Sequence, residues 1–408
     1  MFFERFREAL VRLPAGLIRA GRAAAPHEIA AVERELGTRL PPSFVAFLES
    51  FDGADLFHEA VLLAGVGAEA PRGLLELNQR RPTAEPVFAA VAGGDRFAFQ
   101  ADGHVVRLRA DSDAGEGEGE GEGEGETVAS AGGRSEARGV GECWLAGGDF
   151  SRWLDGLIAY HRVLYDADGE FAADAFEPDG SEVLPLVALR QTERALRACP
   201  DSAEWHHERG VALRRLERVA EAREAFARAV ALDPENPWAH FDLGRAALDL
   251  GPACAREAGA AFEAAARLEG GDAAARLWVW AARAATLEAS PERVALCRRE
   301  ALARERTLPD QLRRARDAAG EGGDPGELAE AEALLEALES PIQPGRMRLA
   351  VVMDDPTAAR AGAAPAGRRR KISDAPAAPA PRTPPPGPRR RVPAVPPRSG
   401  GRPPARRR

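Results

Sequence analysis

Residues 203–236 read AEWHHERGVALRRLERVAEAREAFARAVALDPEN, and this stretch decides the architecture of the second half of the chain. It is a thirty-four-residue helix–turn–helix unit. Gly210 is small enough to let two helices approach, Phe226 fills the gap between them, Ala222 and Ala229 keep the second helix thin, and Pro234 opens the next turn. The following stretch repeats the pattern: Gly244 stands thirty-four residues after Gly210. Ala258, Phe262 and Ala265 fall two residues late, so the turn near Gly251-Pro252 is predicted to have lengthened. A half-unit precedes them, Leu186 to Ala198 closed by Cys199-Pro200-Asp201. A degenerate unit follows, Ala273 to Leu287 and Pro291 to Arg306. One such unit cannot bury its apolar face alone, so about three must stack and the terminal ones are atypical.

These residues resemble the tetratricopeptide (TPR) pattern position by position; Leu213, where an aromatic is usual, is the departure. The resemblance implies a concave groove lined by the first helix of each unit. In register, that groove would show Glu204, His207, Val211, Arg214, Trp238, Phe241, Arg245 and Leu248. Aromatics beside arginine suit a peptide with an apolar anchor and an acidic group. The rival reading is that Trp205, Trp238, Trp278 and Trp280 pack between units, as helical aromatic stripes usually do. The Lys/Asn set with which some TPR proteins clamp a chaperone's C-terminal carboxylate is absent.

Residues 26–53, PHEIAAVERELGTRLPPSFVAFLESFDG, organise the first half. Pro26 begins a helix whose apolar positions are Ile29, Val32 and Leu36, and Gly37 stops it. Leu40-Pro41-Pro42 turns the chain. Ser43 is predicted to cap a second helix with Phe44, Phe47, Leu48 and Phe51 on one face, and Asp52-Gly53 ends it. The period then changes to that of strands over Phe57–Gly67 and Asp95–Leu108, with Asp102-Gly103 as a hairpin turn and Cys143–Leu145 as a last strand. Phe150 to Tyr165 reads as a closing amphipathic helix, giving an α+β domain.

Ile29, Glu33, Leu36-Gly37, Leu40-Pro41, Phe44, Phe47-Leu48, Phe51 and Gly53 resemble the opening signature of the SUKH superfamily (Smi/Knr-like proteins). Gly94–Leu108 and Phe150–Leu157 resemble its strand-rich middle and terminal helix. The resemblance implies a binding module: bacterial members are often immunity proteins that neutralise toxins, and fungal members are interaction hubs. It carries no catalytic residues to this chain.

Charge is unevenly distributed. The whole chain carries −9, but residues 356–408 hold fourteen Arg or Lys against one Asp, leaving −22 on residues 1–355. The body therefore repels nucleic acid, while the tail attracts acidic surfaces. That tail also has fourteen prolines and almost no large apolar residues, which predicts disorder. It contains Pro-x-x-Pro matches at Pro393 and Pro396 and a basophilic kinase-like run at Arg368–Ser373. It has no aromatics with which to stack bases. Lys371 is the only lysine; with the abundance of Ala, Gly and Pro this points to a GC-rich bacterial gene. Six Gly-Glu pairs, Gly115 to Glu126, form an acidic flexible insertion without fixed ligand geometry.

The four cysteines, Cys143, Cys199, Cys254 and Cys297, are too dispersed for a disulfide framework or zinc site, which suits a reduced cytoplasmic protein. His206-His207 with His240 gives no third metal ligand, and Asp166–Glu170 lacks a calcium-loop ladder. No phosphate loop, G-x-S-x-G or HExxH occurs, so neither enzyme activity nor a cofactor is expected. No stretch suffices to span a bilayer, and the charged start is no signal peptide but an amphipathic helix bearing Phe2, Phe3, Phe6 and Leu10.

The chain is thus read as multidomain: an N-terminal helix (1–20), a SUKH-like α+β domain (21–165) with an acidic loop (111–139), and a linker (166–182). All-α TPR repeats (183–307), capping helices (308–340) and a disordered basic Pro/Arg tail (341–408) complete it. The expected function is non-catalytic protein–protein interaction as an adaptor or regulator. The alternatives are an immunity protein neutralising a secreted bacterial toxin and a nucleic-acid-associated protein acting through the tail. The partner's identity and the oligomeric state are not written in the sequence.

Overall fold

The structure, a computed structural model, describes residues 3–14, 16–67, 69–79, 85–109, 143–172, 174–177, 180, 182–320 and 325–341. The Gly-Glu insertion, Met347–Met353 and the Pro/Arg tail lie outside the described residues, as does Phe2.

The N-terminal part runs α1 (Glu4–Arg12), β1 (Ile18–Ala20), α2 (Pro26–Leu36), α3 (Pro42–Leu48), β2 (Ala54–Leu56), β3 (Val61–Leu63), α4 (Leu74–Gln79), β4 (Val87–Val91), β5 (Arg96–Phe99), β6 (Val105–Leu108), β7 (Cys143–Gly147) and α5 (Phe150–His161). All seven strands form one antiparallel meander in chain order. Each strand is short, so stability comes from the face the sheet presents to the helices. There Phe6, Phe44, Phe47, Phe88, Phe99, Phe150 and Trp153 are fully buried. Phe44 alone lies within 5.0–5.4 Å, centroid to centroid, of Phe88, Phe99 and Phe150. Each such ring contributes about 1.5–3 kcal/mol by leaving water.

The opening motif is explained by the backbone groups it satisfies at the helix ends. The Glu28 carboxylate accepts the Ala25 N–H at 2.8 Å at the start of α2, and Gly37 ends that helix at φ 70°. Glu33 accepts the Leu40 N–H at 2.9 Å and so fixes the turn into α3. Asp52, buried, accepts from Val66 N at 2.6 Å and Gly67 N at 2.8 Å, stapling the loop after β3. Gly53 sits at φ 82°, and a Cβ there would stand 2.7 Å from the Leu63 carbonyl oxygen. Glu28, Glu33, Asp52 and Gly53 therefore set the turns and helix ends of the fold.

Several expectations are corrected. Pro41, not Ser43, precedes α3, and no side chain caps it. The predicted strand at Phe57–Gly67 is instead the hairpin β2–β3, turned by Phe57, His58 and Glu59, all near φ 60°. β1, β4 and α4 were not foreseen.

The helical part comprises α6 (Pro185–Ala198), α7 (Ala203–Arg215), α8 (Val219–Leu232), α9 (Pro237–Asp249), α10 (Ala255–Leu268), α11 (Gly271–Leu287), α12 (Pro291–Arg304), α13 (Leu308–Gly320) and α14 (Pro325–Glu339). The small-residue logic holds in the atoms. A Cβ on Gly210 would lie 2.5 Å from the Phe226 ring, and one on Gly244 would lie 2.7 Å from Phe262. The two extra residues of the second unit are taken up by a 3-10 turn, Pro252–Cys254. Each turn inside a unit carries one residue at positive φ: Glu217, Gly251 and Ala289. Ser202 and Asn236 cap α7 and α9 through their side-chain oxygens.

The described residues up to Pro341 belong to one compact unit, and the boundary between sheet and repeat is a packed seam. Ala195, Cys199 and Trp205, from α6 and α7, belong to the same buried cluster as the Phe-rich core.

Candidate functional site

Strand register explains the seam. Ala89, Phe97, Arg107 and Trp144 stand opposite one another across β4, β5, β6 and β7, so they share one face. Phe97 meets Trp153 of α5 at 4.7 Å. Arg107 and Trp144 instead meet the first repeat. The Arg107 guanidinium is bonded to Glu204 on α7 and lies 2.6 Å from Asp95. Burial pulls its pKa down, but those carboxylates outweigh burial and hold it above the ordinary arginine value. The Trp144 ring lies 4.4 Å from that of His207 and shares a buried cluster with Ala229 and Ala239. The Leu145 N–H donates to Asp233 at 3.2 Å. Gly156 on α5 admits Trp205: a Cβ at 156 would come within 2.3 Å of two ring carbons.

The eight residues read as groove-lining fall into three groups. Glu204 and His207 are buried in the seam; the His207 Nε2 is 2.7 Å from the Asp242 carboxylate, which Arg214 also contacts at 3.2 Å. Burial pushes the Asp242 carboxyl up, but His207 and Arg214 more than offset it and hold it below its ordinary value. Val211 and Trp238 are half-buried beside the clusters of the first unit. Phe241, Arg245 and Leu248, on α9, lie beside a different group. The Arg245 guanidinium stands 4.7 Å from the Trp280 ring centroid and 5.8 Å from Phe241, and pairs with Glu330 of α14 at 3.0 Å.

α9 and α11 are the first helices of successive units, and α14 reaches both: it packs against α11, where Leu334, Leu335 and Leu338 enter the cluster of Trp278 and Trp280, and its Glu330 pairs with Arg245 on α9. Arg298 fixes its far end by donating to Ala337 O at 2.7 Å and Ser340 O at 2.6 Å. Trp278 and Trp280 are themselves buried. The eight residues thus meet three surroundings: the sheet at Glu204 and His207, neighbouring repeat helices at Val211, Arg214 and Phe241, and the acidic helix α14 at Arg245. The sheet and α14 as covering elements left no periodic signal in the repeat itself; only the acidic composition of α14 hinted at a partner for Arg245.

The histidines singled out in the sequence do structural work. His206 and His240, thirty-four residues apart, each place Nε2 within 3.1 Å of the carbonyl oxygen six residues earlier, on Pro200 and Pro234. Asp166 accepts the N–H groups of Asp168 and Glu170, closing a turn. Among the described residues there is no group of three or more His, Cys, Asp or Glu able to hold a metal ion, and no helix long and apolar enough to cross a membrane.

Comparison with known proteins agrees with this division. Residues 23–129 match the SMI1 / KNR4 family (SUKH-1), and residues 203–236 match the tetratricopeptide repeat. No curated protein matches the chain. Similar solved structures include a MamA fragment from Desulfovibrio magneticus RS-1, 20% identical, covering 38% of this chain and 85% of that one with TM-score 0.27. YrrB, described as a TPR protein with an unusual peptide-binding site, is 16% identical over 41% of this chain and 84% of that one, with TM-score 0.28. A thermophilic TPR protein from Thermus thermophilus is 20% identical over 41% of this chain and 89% of that one, with TM-score 0.26. The chain therefore carries an N-terminal SUKH domain followed by a tetratricopeptide repeat, the latter a protein-interaction module.

Proposed function

We propose that the protein is a non-catalytic adaptor or regulator whose repeat groove captures an acidic, amphipathic helical segment of a partner protein. The observation that carries this reading is the seating of α14. An acidic helix with leucines on one side packs against α11, its leucines in the tryptophan cluster and its Glu330 reaching Arg245 on α9. It is a ligand of the expected chemistry supplied by the chain itself, and a partner helix of the same kind would compete with it. The effective concentration of a tethered helix is high, so the partner gains access when α14 is displaced or loosened.

The test is a pull-down with full-length bait. The variant Glu330→Arg/Leu335→Asp, which unseats α14, is expected to retain a discrete partner more strongly than the parent chain, and adding Arg245→Glu is expected to abolish retention. Equal recovery by all three baits would defeat the groove reading. A second reading, neutralisation of a toxin through the SUKH domain, is favoured by the family match over residues 23–129. It predicts that a retained partner survives Arg245→Glu unchanged.

A further inference from the structure

The seam between sheet and repeat holds a cavity of about 300 Å³ that opens to solvent, walled by β3–β6, α5 and α7. This is the size of a small ligand's pocket. Its apolar walls are Phe97, Leu157 and Trp205, and four of its lining groups are polar or ionisable beyond Arg107: Tyr160, His161, Glu204 and Glu208.

Those groups are unevenly satisfied. Arg107 and Glu204 are bonded to each other. Tyr160 and His161 touch other rings, at 5.4 Å from each other and 5.1 Å between His161 and Phe57, but neither the Tyr160 hydroxyl nor the His161 ring makes a hydrogen bond among the described residues. Glu208, one turn along α7 from Glu204, makes no hydrogen bond or ion pair there either. The Tyr160 hydroxyl and the His161 ring are half-buried in this lining, and with Glu208 they are the groups free to bond whatever enters it. Burial, with Arg107 nearby, lowers the His161 pKa to about 4, so the ring is neutral and offers an acceptor nitrogen. Burial, then Glu208 and Glu204, pushes the Tyr160 hydroxyl above its ordinary value, so it stays protonated. Arg107 is already matched by Asp95 and Glu204, which leaves Glu208 as the lining carboxylate without a cation beside it. A cation beside Glu208 would complete the lining, and each group left without a partner there can accept a hydrogen bond from N–H.

We propose that this cavity binds a small organic cation, a primary ammonium or a guanidinium on a short alkyl stem. Its charged head rests on Glu208 and the Tyr160 hydroxyl, and its stem lies against Trp205 and Phe97. An anion is disfavoured by the two carboxylates, and a wholly apolar ligand would leave Glu208 and Tyr160 dry and unpaired. The site is built from both modules at once: Tyr160 comes from α5 and Glu208 and Trp205 from α7. The same head group exists on free amines and on Lys or Arg side chains, and the test separates these sources.

The experiment is isothermal titration of the full-length protein with n-butylamine and propylguanidine, with butanol and butyrate as neutral and anionic controls. Saturable binding of a cation, with neither control binding, is expected. Glu208→Gln is expected to weaken it about tenfold or more, as for loss of a charged hydrogen bond. Tyr160→Phe, which keeps the ring and packing, is expected to weaken it several-fold. Capped arginine amide within a short peptide forms the second arm. If it binds more tightly than propylguanidine, the natural occupant is a partner's side chain; if it is excluded, the occupant is a free amine or guanidine. No saturable binding of any cation, equal binding of butanol, or unchanged affinity in both variants would overturn the proposal.

Discussion

Gly156→Ala puts the seam to a quantitative test. Gly156 lies inside α5, so on helix propensity alone alanine should stabilise by about 1 kcal/mol. Against that, the new methyl would sit 2.3 Å from two carbons of the Trp205 ring, more than 1 Å inside normal contact, and 3.3 Å from the Cys199 Cβ. Trp205 is only 4% exposed, so swinging its ring out of the way would put apolar surface into water. Overpacking of this kind costs about 1–3 kcal/mol, and two ring atoms at this distance place it near the upper end. The net expectation is a loss of about 2 kcal/mol, a fall of roughly 3 °C in Tm for a unit of this size. Calorimetry or urea denaturation followed by circular dichroism reads it. In a Trp205→Leu background the clash is gone, and Gly156→Ala should become neutral or stabilising. The double-mutant cycle should then return a coupling of about 2 kcal/mol. If Gly156→Ala has the same effect in both backgrounds, the helices α5 and α7 are not packed as described and the modules are not fused.

Ala289→Gly should raise stability by about 0.5–1 kcal/mol, because Ala289 holds φ 58° in the α11–α12 turn and glycine adopts that region freely; a chemical melt checks it, and destabilisation would mean the turn is wrongly placed. Thiol labelling at neutral pH should reach Cys254 well before Cys199 or Cys297, since burial pushes the Cys297 thiol up to about 11, and burial together with Asp201 pushes Cys199 up as well. Stability should fall as pH drops from about 6.5 toward 4. In that window the unfolded chain binds a proton at His161 that the folded chain does not, and above it the residue contributes no slope. His161→Gln should flatten that part of the pH profile, and an unchanged profile would show that the ring is solvated.

The repeat was legible because its rule is local. Gly210 needs Phe226 and Gly244 needs Phe262, and both pairs lie within one hairpin of helices, where spacing alone reports contact. The SUKH signature was legible for a similar reason: Glu33 and Asp52 satisfy backbone N–H groups seven and fourteen residues away. β1, β2 and β3 were hard to read because three residues are too few to display alternation, and the residues between β2 and β3 turn through left-handed conformations without a glycine. The seam was invisible for a different reason. Arg107–Glu204 and Trp144–His207 join residues far apart in the chain, and nothing periodic marks them. Glu204 and His207 look like groove residues in register because they are on the groove-facing helix; what covers them there comes from the sheet. The cavity is legible least of all, since its walls are drawn from six elements.

The adaptor reading rests on α14 acting as a stand-in for a partner helix, and titration of a fluorescent peptide of residues 325–341 tests it most directly. Added to the full-length Glu330→Arg/Leu335→Asp chain, the peptide should bind saturably by anisotropy. It should bind the parent chain far more weakly, because α14 already occupies the groove, and Arg245→Glu in the unseated variant should weaken it severalfold. No binding to the unseated variant, or equal binding to the parent chain, would contradict the claim that this face of the repeat is where the protein takes its partner.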